Sequence, residues 1–526
     1  DVFIAPTNMN GAIHGDKVIV EITSPKGIDL EGRILRIIDR KFKQMVGEIY
    51  HKDGKCLLKL DDDRVKLDII IDKNKSMGAM DGHKVLVKIT GKQKGNTYGG
   101  EVLKILGHKN DPGVDILSIT NEMGIPDTFS DEVMKELDEI PSSVLDKDWV
   151  GRTDLTNEII FTIDGDDTKD IDDAISIEKV GDNYKLGVHI ADVSYYVRPN
   201  TALDSEAFDR GTSVYLADRV IPMLPHKLSN GICSLNPGVD RLAISCIMEI
   251  DNKGNVVDYD ILQTVIKSKI QMTYKKVNKV LEENIVPEGY EPYADKLKLM
   301  DELANVLRKN KIERGYIDFD IDEAKIIVND KGKAIDVALR YRGKGEKLIE
   351  DFMIAANETV ASHLYNMDLP FIYRIHGEPS EEKINNFLRF LNIIGYKVKG
   401  DLNRITPKTM QELLNQLKDK KEFHLLSSLL LRSMQKAVYD VNNIGHFGIA
   451  SKCYTHFTSP IRRYPDTTVH RLLHTYIFDN KIDTDTVNFY EKQLPIIATQ
   501  TSSAERRSID RRSARQEAKA AVADVI

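Results

Sequence analysis

The stretch FTIDGDDTKDIDDAIS, residues 161–176, places six aspartates within the ten positions from Asp164 to Asp173. An apolar run leads into it (EIIFTI, 158–163) and another leads out (AISIEKV, 174–180). Each run reads as a strand, so the acidic segment is expected to be a loop held at both ends by sheet. Carboxylates this close repel one another and favour protonation. A solvated acidic turn is one reading of such a cluster. A calcium loop of the EF-hand kind is another, but counting from Asp164 the sixth position is Lys169 rather than Gly and the twelfth is Ile175 rather than Glu. The third reading is a magnesium site for phosphoryl chemistry, because hard cations take carboxylate oxygens and relieve the repulsion. That reading explains why the cluster is there at all.

Further along, HFTSPIRRYPDTTVHRLLH (456–474) joins a Ser-Pro turn to two adjacent arginines, Arg462 and Arg463, and then a helix. The planar guanidinium fork suits phosphate, although a surface pair bridging helices would look the same. His470 and His474 stand four apart on that helix, but the glutamate of a zinc-binding H-E-x-x-H is absent, and both are read as structural. GTSVYLADRVIPMLPHKLSNGICSLNPGVDRL (211–242) is loop-rich and carries Tyr215, which could stack on a nucleobase or pack in the core. Tyr274, in MTYKKV, carries the same ambiguity, with packing the simpler reading.

Texture divides the chain. Residues 1 to 110 are short β-rich runs with an internal echo: GDKVIVEIT (15–23) and GHKVLVKIT (82–90), each followed by a G-x-(I/V)-L-(R/K)-I strand. That pattern suggests one small β-barrel used twice, the first copy lacking its front. Residues 110–150 read as a linker with one or two short acidic helices. Strands return from 156 to about 265, including the hairpin AISIEKV-GDN-YKLGVHIADV, and helices dominate from 344 onward. The large middle part is therefore mixed α/β.

The 526 residues are 41% hydrophobic and 30% charged, as in ordinary globular proteins, and no run approaches a membrane span. The formal net charge of −8 argues against a chain coated in positive charge but leaves room for a local basic channel. Four cysteines with no C-x-x-C pair fit a reducing cytoplasm better than a disulfide framework.

TIDGDDTKDIDDAIS, LGVHIADVSYYV, GTSVYLADRVIPMLP, LSNGICSLNPGVDRLAIS, LIEDFMIAANE and FTSPIRRYPDTTVHRLL together resemble the ribonuclease II / ribonuclease R family of 3′-to-5′ exoribonucleases, and the R type more closely. The resemblance covers nearly the whole chain. It implies a multidomain protein: N-terminal β-barrels of the OB (cold-shock) type, then a large mixed α/β nuclease (RNB) domain. The expected division is a partial first cold-shock barrel at 1–42, a second at 43–109, a linker at 110–150, the RNB nuclease domain at 151–476, and C-terminal helices at 477–526 leading toward an S1 barrel that is absent. It further implies magnesium, with manganese able to substitute, held by Asp164, Asp170, Asp172 and Asp173 for two-metal-ion hydrolysis. Asp173 matches the residue most tied to cleavage, with Asp172 and Arg462 beside it in catalysis, Arg462 gripping the phosphate near the cut. Tyr215 matches the tyrosine that stacks on the 3′-terminal nucleotides. Tyr274, Glu350 and Arg463 are expected along the RNA path.

The implied activity is processive release of nucleoside 5′-monophosphates from single-stranded RNA and from the 3′ ends of structured RNA, by a monomer with no membrane contact. A non-catalytic RNA-binding protein with a decayed nuclease domain is the rival reading, and the intact spacing of four aspartates argues against it. A small-molecule phosphatase would not need the barrels. One departure stands out. The family's second E-R after A-E-R-R is here Ala514-Arg515, which leaves open whether Glu505 or Glu517 supplies the family's C-terminal active-site glutamate.

Overall fold

The computed structural model describes residues 2–523 except 13–14, 25–29, 40–43, 63–64, 66, 93–96, 112, 123–127, 216–218, 319–323, 330–333, 340 and 397–404, and describes 24, 92, 115–116, 119, 122, 324–326, 328, 334, 337 and 510–523 by backbone alone. The chain forms two compact units: Asp1–Thr128 with Ile326–Asp336 and Asp510–Ile526, and Phe129–Lys325 with Val337–Ile509.

In the first unit, β1 (Val2–Ile4), β2 (Lys17–Ser24) and β3 (Leu30–Asp39) make a sheet in the order β1-β3-β2. Then β4 (Gln44–Lys52), β5 (Lys55–Leu60), β6 (Asp68–Ile71), β7 (His83–Lys92) and β8 (Thr97–His108) close a barrel in the order β4-β5-β6-β8-β7. Alternation sets its inside: Cys56, Leu58 and Leu60 of β5 are buried while Lys55 and Lys59 face out. The β4–β5 connection is a two-residue turn, and Asp53 and Gly54 both hold positive φ (52° and 71°), the backbone twist that such a turn demands. The echoed segments occupy equivalent places, since β2 pairs antiparallel with β3 as β7 does with β8. The short helix α1 (Val114–Glu122) follows, its Val114 packed with Val46, Leu86 and Leu106.

The second unit opens with α2 (Asp131–Glu139), whose first turn is capped by the Ser130 hydroxyl. Its main sheet runs β11-β12-β15-β16-β9, from β9 (Thr153–Leu155), β11 (Asp173–Val180), β12 (Asn183–Ala191), β15 (Asp240–Ile250) and β16 (Val256–Lys267). A separate parallel pair joins β10 (Thr162–Asp164) to β17 (Gln271–Thr273). Between β12 and β15 lie the single turn α3 (Val193–Tyr196), α4 (Ala202–Arg210) and the small hairpin β13 (Val214–Tyr215) and β14 (Val220–Ile221).

The sheet is buried on both faces, which is why β12 and β15 read as near-continuous apolar runs rather than alternating ones. Ile177, Leu186, Val188 and Met248 pack toward α5 (Tyr274–Glu282), α6 (Ala294–Arg314) and α7 (Lys344–Asn366). Ala174, Ala191 and Ala243 belong to a second cluster with Leu224 and Leu228. The helices α8 (Glu381–Ile393), α9 (Pro407–Leu417) and α10 (Phe423–Ser433) enclose their own core around Leu391, Leu414 and Leu426. Last come α11 (Tyr464–Leu473) and the long α12 (Thr484–Ala523). The mixed α/β reading of the middle part and the OB-type barrel reading of the front are both observed.

One expectation needs correcting. The strand expected at 158–163 is confined to Thr162–Asp164, because the preceding backbone satisfies itself otherwise: Phe161 bridges to Ile175, and the Lys269 amide takes the Ile160 carbonyl. The acidic loop therefore begins and ends inside sheet, with Asp164 closing β10 and Asp173 opening β11.

Candidate active site

The acidic loop is pinned by its one apolar residue. Ile171 is fully buried; its amide donates to Ser234 Oγ (3.1 Å) and its carbonyl accepts from the Leu235 amide (3.0 Å). Ser234 Oγ also donates to the Lys169 carbonyl at 2.7 Å. Of its neighbours, Asp172 is buried and Asp170 stays partly exposed. Asp164 and Asp173, at the two strand ends, are fixed by ladder hydrogen bonds.

Opposite the loop stands the turn Ser459–Arg462. The Ile461 amide donates to Asp172 Oδ1 at 2.8 Å, and Arg462 Nε lies 3.7 Å from Asp172 Oδ2. Asp172 is only 5% exposed, and burial raises its carboxyl well above the usual range against the pull of Arg462 and the Ile461 amide. The turn is clamped from two sides. The Ser213 amide and the Thr212 hydroxyl both donate to the Arg462 carbonyl (2.9 and 3.0 Å), and Thr467 Oγ1 donates to the Pro460 carbonyl (2.9 Å). Thr212 and Ser213 lead directly into Tyr215. That residue is 43% exposed, and its hydroxyl donates to Asp170 Oδ2 at 2.8 Å. Desolvation and the Asp170 charge push the Tyr215 phenol above its ordinary value, so it stays a donor.

Asp164 and Asp173 form the electrostatic centre. Burial raises the Asp164 carboxyl, and the charge on Asp173 raises it further. Burial also raises Asp173, with Arg462 and Arg463 opposing. Asp164 Oδ2 is buried with no hydrogen-bond partner. A buried orphan oxygen beside a second elevated carboxyl is a donor set that a divalent cation would satisfy. Among the described residues, no three acidic, histidine or cysteine side chains already gather as a finished cage. Magnesium does not require one, since it commonly takes one or two carboxylates and completes its shell with water and substrate phosphate. The residues present fit that ion.

Other expected residues are placed differently. Arg463 turns one edge of its fork on Asp466, with Nε and Nη2 at 2.8 and 2.7 Å from the two carboxylate oxygens, while its charge acts on Asp173. Glu350 accepts from Tyr316 (3.2 Å) and Arg342 and lies 3.9 Å from Lys311, a network separate from the aspartate loop. Tyr274 opens α5 and packs, partly buried, against the main core. Glu505 is held by Arg374 in a bidentate pair at 2.6 and 2.8 Å, and the Glu517 side chain lies outside the described residues. His470 is buried with Nε2 on the Phe457 carbonyl (2.8 Å), and His474 faces Asp192 (3.1 Å), both structural as expected. A cavity of about 480 Å³ lies elsewhere, between α6, α7 and the β15–β16 turn; its charged walls pair internally, Lys311 with Asp351 and Arg314 with Glu358.

Sequence reasoning missed Asp466 and Arg374. Asp466 had a local signal, an acidic residue in the first turn of a helix that begins Tyr-Pro. Arg374 had none, because its partner is 131 positions away.

Comparison with known proteins agrees with this architecture. An RNB domain model matches residues 152–479, a cold shock domain model 58–130, and a ribonuclease B OB domain model 1–37. Ribonuclease R of Thermotoga maritima is 46% identical over 502 residues, covering 94% of this chain and 70% of that protein. Ribonuclease R 1 of Lactococcus lactis is 42% identical over 97% of this chain, and Escherichia coli ribonuclease R 40% identical over 90%. The chain spans 64% and 58% of the length of those two relatives. The structure of Mycoplasma genitalium RNase R in complex with ribose-methylated single-stranded RNA superposes with a TM-score of 0.93 at 29% identity, over 98% of this chain and 82% of that one. The chain belongs to the ribonuclease R family of RNB-domain 3′-to-5′ exoribonucleases.

Proposed function

We propose that this chain hydrolyses RNA processively from its 3′ end to nucleoside 5′-monophosphates, with Asp164, Asp170, Asp172 and Asp173 as the cation-holding set. The observation that carries this reading is the Asp164–Asp173 pair, two elevated carboxyls with an orphan oxygen, close to a turn that aims Arg462 at the same loop. When bound, divalent cations lower the pKa of an attacking water and offset charge on the departing 3′-oxygen. Asp173 and Asp164 supply the free carboxylate oxygens. Asp172, fixed by the Ile461 amide, holds Arg462 where a scissile phosphate would need its charge. Tyr215 keeps its ring accessible for a terminal base while its hydroxyl orients Asp170.

The two OB-type parts at 1–42 and 43–109 would grip single-stranded RNA upstream, and a channel that admits only one strand would favour exonucleolytic action. A monomer acting on single strands and on the 3′ ends of structured RNA suits this arrangement. A reducing cytoplasmic setting suits the four cysteines, all buried and unbridged. No helix among the described residues is long and apolar enough to cross a membrane.

The test is to incubate 5′-labelled and 3′-labelled single-stranded RNA with and without magnesium. The 5′ label should report a shortening ladder and the 3′ label immediate mononucleotide, both only with the ion. Internal fragments from the 3′-labelled RNA would refute the exonuclease direction, and cleavage in chelator would refute the cation role.

A further inference from the structure

Arg462 is a long side chain left 41% exposed at its site, and an unrestrained arginine loses rotamer freedom when it is ordered. Something must aim it before substrate arrives if the reaction is not to bear that cost. Ser459 is placed to do so. Its hydroxyl accepts from Arg462 Nη2 at 2.9 Å, while Arg462 Nε faces Asp172 at 3.7 Å, so the guanidinium is held at two points. Ser459 is itself immobilised. It is 5% exposed, its amide donates to Asp466 Oδ1 at 2.8 Å, and its carbonyl accepts from the Arg463 amide at 3.0 Å. Asp466 in turn is fully buried and held by two N–H donors along one edge of the Arg463 fork.

We infer that Ser459, seated on the Asp466–Arg463 pair, is a positioning residue that pre-orients the Arg462 guanidinium toward the substrate phosphate. Ser459 touches no reacting atom. Its contribution is to the fraction of Arg462 in the productive rotamer, so its loss should slow the chemical step and leave RNA binding, which rests on many contacts, nearly unchanged. The Arg463 fork then has a defined role as well, since it secures the base of the turn rather than reaching for RNA.

This inference rests on the assignment of Arg462 to the scissile phosphate, and the experiment separates the two. Single-turnover rates with magnesium and RNA Kd without it are measured for the whole chain as Ser459→Ala, Arg462→Ala and the double variant, at a temperature where circular dichroism shows each folded. Losing a hydrogen bond to a charged group predicts a rate roughly tenfold lower for Ser459→Ala, with Kd within about threefold. In the Arg462→Ala background, Ser459→Ala should cause no further loss. An unchanged rate for Ser459→Ala, or the same factor in both backgrounds, overturns the positioning role. An unchanged rate for Arg462→Ala overturns the arginine assignment itself. Ser459→Thr keeps the acceptor and should restore the rate to within about threefold of the parent; a loss as large as alanine's would mean that packing, and not the hydroxyl, is what matters.

Discussion

The Tyr215 hydroxyl donates to Asp170 Oδ2 at 2.8 Å, so the side chain offered to a terminal base also orients a carboxylate of the acidic loop. Two functions on one ring can be separated. Tyr215→Phe keeps the stacking face and removes the hydrogen bond; Tyr215→Ala removes both. Stacking contributes roughly 1–3 kcal/mol per base, so Tyr215→Ala should stop degradation at a longer end product while long RNAs are shortened almost normally at first. Tyr215→Phe should keep the parental end product and slow each step severalfold. Denaturing gels of a 5′-labelled RNA decide it. An alanine variant with an unchanged ladder would return Tyr215 to packing alone.

Asp173→Asn should lower the cleavage rate by orders of magnitude and leave RNA affinity nearly intact, because affinity depends on phosphate contacts along the chain rather than on one carboxylate. The same change removes the larger of the two carboxylate charges that repel Asp164, so the variant should be at least as stable as the parent. Rate, Kd and melting temperature together form the check. A variant that cleaves at the parental rate would take Asp173 out of the chemistry.

How far the site was legible depends on sequence distance. The six aspartates and the Ser-Pro-Ile-Arg-Arg turn are local clusters, and spacing marks them as candidates for cation and phosphate chemistry. What joins them is not local. The Ile461 amide meets Asp172 across 289 positions, and the Glu505 partner Arg374 lies 131 positions away, so no window of residues carries either contact. The barrel strands were legible because one face is wet and polarity alternates, as in Lys55–Leu60. β10 was not, because β10 and β17 pair through three residues each and periodicity has nothing to act on over so short a run. Arg463 was read as a second phosphate fork beside Arg462. Adjacent residues on a chain entering a helix point apart, and the helix's own Asp466 takes the second fork.

His189 offers a titration test of the sheet. It is 1% exposed between Ser176 and Ser245 (3.0 and 2.7 Å), and burial alone pushes its imidazole down to about 3. With the folded value below the unfolded one of about 6.5, neither state binds the proton above that pH and the full stability is present. As pH falls below about 6.5 the unfolded chain takes up a proton that the native chain refuses, and stability drops by about 1.4 kcal/mol per pH unit. The raised aspartates pull the other way, so the measurement is a difference. The urea stability of the parent minus that of His189→Gln should fall by about 1.6 kcal/mol between pH 6.5 and pH 5. Parallel curves would mean that His189 is protonated in the fold.

Asp192 and Arg152 form a pair that is almost entirely buried, with side chains 0% and 2% exposed and Oδ2 to Nη2 at 2.7 Å. Burial would raise the Asp192 carboxyl, but His474 and Arg152 beside it hold it well below the usual range. Ser194 Oγ donates to the other oxygen at 2.8 Å, so each carboxylate oxygen has a partner. Breaking such a pair from one side leaves a charge stranded in a low-dielectric core, which costs about 3–5 kcal/mol. Asp192→Asn should lose that much in chemical denaturation, and Arg152→Met a comparable amount. The double variant removes both charges together and should lose much less than the sum, because the stranded charge is what each single change creates. Additive losses would instead show that the two side chains contribute through separate packing, and that their mutual charge does little to hold β12 and β15 to the segment before β9.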